Sequence, residues 1–175
     1  MLWYTISGTT FRAVFYVTEG FTSHLAAQAL AQNELRSEAV AMQNNSIRAY
    51  QICDDNLPCE AIKALVCDET RVLTNLHFKW KNRTEALASA QRMETLMRQQ
   101  LKTENTNSDR WKSSLAENLL FQARIFNDDS RKKEAIRKYR ETITINQTLI
   151  NENHTNTDTK SQLSSAQKEL EALLK

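Results

Sequence analysis

Six of the ten residues from Arg131 to Arg140 are basic, the densest run of charge in the chain. Spaced along a helix, Lys133, Arg137 and Arg140 would share one face, with Ile136, Tyr139 and Ile143 on the other. Such a strip could neutralise phosphates. However, Glu134 and Glu141 interrupt it, and the whole chain carries a formal charge of only +2. That balance weighs against a nucleic-acid partner and fits a solvated outer face.

Other reactive side chains are scattered. His24, His77 and His154 lack the i, i+4 pairing of a zinc protease. Cys53, Cys59 and Cys67 lack zinc-finger spacing. A Cys53–Cys59 or Cys59–Cys67 disulfide is conceivable outside the cytoplasm, but the simpler expectation is three thiols with no such role. The pairs Asp54–Asp55 and Asp128–Asp129 fall in turn-like stretches, where carboxylates commonly cap helices. No nucleophile–base signature is present. The expectation is therefore no enzyme, no catalytic residue, no metal and no cofactor. Four Asn-x-Ser/Thr sequons, at Asn44, Asn82, Asn146 and Asn153, decide nothing in a chain this rich in Asn, Ser and Thr.

The elements that carry these residues are helical. Two glycines and one proline in 175 residues cannot supply the turns of a many-stranded β protein. They also leave no material for a glycine-rich phosphate loop. From Thr22 onward apolar residues recur at helical spacing. They predict helices over about 22–32, 35–54, 59–80, 83–102, 110–126, 131–151 and 159–174. Leu25, Ala26, Ala29 and Leu30 are the expected buried side of the first, and Leu35, Ala39, Met42, Ile47 and Tyr50 of the second. Residues 1–21 form no clear pattern, and they contain neither a membrane span nor a clean signal sequence.

Three segments are alike: RSEAVAMQNN, RTEALASAQR and KKEAIRKYRE. Each places Ala after Glu, at Ala39, Ala86 and Ala135, with spacings of 47 and 49 residues. A small residue recurring at such a period marks the close crossing of two helices in a repeated hairpin. The repeats would cover about 22–58, 59–109 and 110–158, followed by a terminal helix over 159–175.

The stretch AENLLFQARIFNDDSRKKEAIRKYRETI resembles a tetratricopeptide repeat, with Leu119, Ala123, Phe126, Ala135 and Tyr139 at packing positions of that family. Leu73, Thr74, Ala86, Ala90 and Met93 match in the second copy, and Ala27, Leu30 and Ala39 in the first. Gln122 stands where the family has Leu, and Lys81 and Ser130 replace its turn glycine. The long period is similar to that of kinesin light chains and of bacterial signalling-protein arrays. The resemblance implies an all-α stack of antiparallel helix pairs, a TPR-like α-solenoid of about seven helices.

It also implies a protein-interaction or scaffold module, in which first helices line a concave groove for a peptide or partner helix. Carried over, the groove would hold Asp68, Arg71, Asn75, Phe78 and Lys79 from one helix and Glu117, Leu120, Arg124 and Asn127 from another. Arg71 and Asn75 lie one turn apart and could bind a carboxylate or a peptide backbone. The module could be the C-terminal part of a larger signalling protein. A small-molecule-sensing regulatory domain is the alternative. Leu163, Leu170, Leu173 and Leu174 suggest homo-oligomerisation through the terminal helix. A soluble protein is expected, with the cytoplasm favoured over the periplasm.

Overall fold

A computed structural model describes residues 8–103, 108–152 and 157–175. The expected loop features at 104–107 and 153–156, His154 and Asn153 among them, lie outside the described residues, as do residues 1–7. The fold is an all-α helical repeat, with no strand among the described residues. Its helices are α1 (Gly8–Gln32), α2 (Arg36–Asn56), α3 (Glu60–Lys79), α4 (Arg83–Lys102), α5 (Ser108–Asp128), α6 (Lys132–Asn151) and α7 (Thr157–Leu174). The chain divides into two compact units, Met1–Ala86 and Leu87–Lys175.

Three turns share one hydrogen-bonding scheme. Glu34, Lys81 and Ser130 adopt φ of 61°, 60° and 60°, spaced like the three alanines. The residue after each donates its backbone N–H five residues back: Leu35 to Leu30 (3.0 Å), Asn82 to His77 (2.8 Å) and Arg131 to Phe126 (2.8 Å). The next helix then starts with the N–H of Ala39, Ala86 or Ala135 on the carbonyl of Leu35, Asn82 or Arg131. A left-handed residue closing a helix with a six-to-one bond is the Schellman arrangement. Lys81 and Ser130 thus do the work of the turn glycine, and Glu34 does the same in the first turn. All three alanines are fully buried, as a close helix crossing requires.

In the first unit α1 and α2 run antiparallel. Ser46 Oγ donates to the Gly20 carbonyl (2.8 Å), and Cys53 Sγ lies 3.8 Å from that of Ala13. Helix α1 begins at Gly8, well before residue 22, where the sequence pattern starts. Its aromatic and β-branched residues are poor helix formers, and packing on α2 overrides that preference. Its buried side also differs from expectation: Ala13, Gly20, Ser23 and Ala27 are buried, whereas Leu25 stands 47 % exposed. Small residues face α2 because the two backbones approach closely. In α2 the buried set is Ala39, Gln43, Ser46, Ala49, Tyr50 and Cys53, with Leu35 exposed. None of the three cysteines forms a disulfide; Cys53 and Cys67 are buried and Cys59 is exposed.

In the second unit the α5–α6 pair repeats the α1–α2 scheme. Thr142 Oγ1, which donates to the Lys138 carbonyl of its own helix (3.0 Å), also lies 3.4 Å from the Ala116 carbonyl, at positions equivalent to Ser46 and Gly20. Leu120, Ala123, Phe126, Ala135, Tyr139 and Ala166 form a core, and Leu170 and Leu173 of α7 pack against it. Helices α4 and α6 lie side by side in the same direction, since Glu94 pairs with Lys138 and Arg98 with Glu141.

Candidate functional site

Helix α3 is two-faced. Val66, Thr70, Leu73, Thr74 and His77 are buried, while Arg71, Asn75 and Lys79, one turn apart, are exposed. Phe78 is half-buried beside them. The Arg71 guanidinium lies 3.2 Å from the Asp68 carboxylate, in a half-exposed pair that salt screens. This surface offers a planar fork of donors, an amide that both donates and accepts, and an ammonium. Such a set suits carboxylates and extended backbone.

The expected residues on α5 belong to the second unit and divide differently. Asn127 and Glu117 are exposed. Leu120 is buried in the core of its unit rather than facing a groove, because it lies in phase with Ala116 and Ala123. Arg124 is already engaged by its own chain. Its Nε and Nη2 donate to the two carboxylate oxygens of Glu169 on α7, at 3.0 and 2.7 Å. Tyr139 donates to the same carboxylate at 2.9 Å. Burial would raise the Glu169 carboxyl, but these donors outweigh it and hold it below the ordinary carboxylate range. Burial, reinforced by hydrogen bonding to Glu169, pushes the Tyr139 phenol upward.

Polar residues also fill the places where one hairpin meets the next helix, and the sequence pattern did not single these out. Glu69 of α3 accepts from Gln43 Nε2 of α2 (2.6 Å), lies 3.1 Å from Ser46 Oγ, whose proton it shares with the Gly20 carbonyl, and pairs with His24 Nδ1 of α1 (2.8 Å). At the equivalent position of α5, Asn118 donates to the Ala90 carbonyl (2.9 Å). Glu169 occupies the same role on α7. Helix α4 adds Glu94, which accepts from Lys138 (2.7 Å), Gln122 (2.8 Å) and Arg98 (2.9 Å). Burial would raise the Glu94 carboxyl, but the three donors pull it lower on balance. Phase was the available signal. Glu69 falls in line with Ile62, Val66 and Leu73, and Lys138 with Ala135 and Thr142, so both charges sit on buried stripes.

The basic run behaves as an outer face over most of its length. Lys133, Arg137 and Arg140 are exposed opposite Ala135 and Tyr139, but Lys138 is 6 % exposed and paired. Arg131 lies 4.4 Å above the Phe126 ring and bonds Glu134, closing the third turn. Among the described residues, no three His, Cys, Asp or Glu side chains gather as metal ligands. No described helix is long and apolar enough to cross a membrane. No family model matches the chain, and no curated protein matches it.

Proposed function

We propose that this chain is a tetratricopeptide-like interaction module that captures a peptide or partner helix on the outward faces of its first-of-pair helices. The observation that carries this reading is the Arg71–Asn75–Lys79 stripe, exposed at one-turn spacing on a helix whose other side is locked into its unit. A rigid helix holding a cation, an amide and a second cation in line suits an acidic segment or a terminal carboxylate. Arg124 is held by Glu169 and Arg71 by Asp68, so a captured carboxylate would compete with a carboxylate of the chain at either guanidinium. The module would act as a scaffold within a signalling protein.

Panning a displayed peptide library on the immobilised chain tests the proposal. Acidic or C-terminal-carboxylate sequences should be enriched, and Arg71→Ala with Asn75→Ala should lose them while helical content holds. Return of the same sequences by the double variant counts against this surface.

One observation favours a second reading, a domain that senses a small molecule. Asn146 is fully buried on α6, and neither its amide oxygen nor its amide nitrogen is hydrogen-bonded among the described residues. A polar ligand seated there would satisfy both.

A further inference from the structure

Carboxylates interrupt the basic run of α6 in sequence, but in the fold they are already engaged. Glu134 is held by Arg131 (2.8 Å), with Arg137 acting on it from further off. Glu141 pairs with Arg98, and Glu94 with Lys138 and Arg98. These three carboxylates are therefore matched by Arg131, Arg98 and Lys138. Lys133, Arg137 and Arg140 are left over, exposed and without an ion pair among the described residues. Asp128 and Asp129 lie in the preceding turn, before the first of the three.

The three cations lie on one line. Intervals of four and three residues keep them on one side of the helix, over an axial length of about 10 Å. Thr144 continues the line, and no acidic residue lies on it. The repeat does not require cations there. The equivalent residues are Thr84, Ala88 and Gln91 in α4, and Ser37, Ala41 and Asn44 in α2, all exposed and all uncharged. Charge on this face is a property of the third hairpin and not of the fold.

We propose that this face of α6 docks on an anionic lipid leaflet, through charge alone and without insertion. Charge complementarity selects an anionic partner, and the rest of the face selects its kind. Tyr139 is buried, so the line offers no exposed ring on which a base could stack. Helix α4 flanks α6 through the Glu94–Lys138 and Arg98–Glu141 pairs, which keeps α6 from entering a DNA major groove as a lone helix would. Ile136 and Ile143 beside the line are half-buried, so it presents no exposed apolar anchor to a protein partner. A leaflet requires none of these features, because its surface potential attracts cations diffusely within a Debye length. Each cation at such a surface strengthens binding about fivefold.

Co-sedimentation of the full chain with vesicles tests this. At low salt the chain should bind phosphatidylcholine vesicles carrying about 30 % phosphatidylserine, and not phosphatidylcholine alone. Binding should be lost as salt rises from about 0.05 to 0.5 M and the Debye length shortens. Arg137→Gln with Arg140→Gln should weaken it about 25-fold while the circular dichroism is unchanged. Arg12→Gln with Arg48→Gln removes the same charge from exposed positions of the first unit and should change little. Failure to bind the anionic vesicles overturns the proposal, as does equal binding to pure phosphatidylcholine or equal loss in the two double variants. Binding to a duplex or single-stranded oligonucleotide, abolished by Arg137→Gln with Arg140→Gln, would give the face to a nucleic acid and equally overturn it.

Discussion

Gly20 lies directly against the ring of Tyr50, so that a Cβ built on the glycine would stand 2.7 Å from Tyr50 Cζ. Helix α1 approaches α2 at this point, and Ser46 Oγ bonds the Gly20 carbonyl beside it. Ala116, at the equivalent place in α5, is fully buried with Thr142 Oγ1 3.4 Å from its carbonyl. Gly20→Ala should destabilise the first unit. The steric cost of about 1–3 kcal/mol exceeds the roughly 0.5–1 kcal/mol that alanine recovers in helix propensity. Combining it with Tyr50→Leu should restore part of the loss, which a double-mutant cycle in chemical denaturation would read.

Glu34, Lys81 and Ser130 hold the left-handed conformation at a cost that glycine would avoid. Left-handed backbone costs a non-glycine residue about 1–2 kcal/mol, and glycine's entropy returns about half of that. Each residue changed to Gly should therefore raise stability by roughly 0.5–1 kcal/mol. Thermal unfolding of Lys81→Gly and Ser130→Gly checks this, with Lys81→Val, β-branched and ill suited to that region, as the destabilised counterpart.

Two part-buried carboxyls of the second unit contribute to its response to acid. Glu94 and Glu169 are held below the ordinary range, so the unfolded chain binds their protons at a higher pH than the folded one. Their contribution is complete above the unfolded value of about 4.3 and is lost as pH falls through the folded values. The denaturant midpoint should fall on acidification from about pH 5 toward pH 3, and less steeply in Glu94→Gln. Tyr139 works in the opposite direction. Its raised phenol stabilises below about pH 10, and that contribution is lost in alkali.

Asn146 offers the converse of a cavity mutation. Two buried amide atoms without partners cost about 1–3 kcal/mol, and an apolar side chain of similar size removes that cost. Asn146→Leu should raise the melting temperature. A lower melting temperature would mean that the amide has a partner in solution, and would favour the sensing reading.

Much of this architecture was legible in the residues. The Ala39–Ala86–Ala135 period gave the repeat, and Lys81 and Ser130 stood at the turn positions because the hairpin scheme demands a left-handed residue there. Helix α1 was legible only in part. Its register is set by small residues meeting α2, and propensity cannot report that contact. The buried polar junctions were missed because Glu69, Gln43 and Lys138 are polar by type and buried only through one another. On the candidate surface, Arg71 and Asn75 came from the resemblance and are exposed in the structure, whereas the hold of Glu169 on Arg124 depends on the packing of α7.

The most direct test of the repeated hairpin is to enlarge its three close crossings one at a time. Ala39→Leu, Ala86→Leu and Ala135→Leu each overfill a fully buried site, and each should cost about 1–3 kcal/mol in equilibrium unfolding. Ala41→Leu and Ala88→Leu, on the exposed sides of α2 and α4, should cost almost nothing. Three comparable losses against two silent controls is the expected result. A leucine tolerated at any one of the three crossings as readily as at the controls would contradict it.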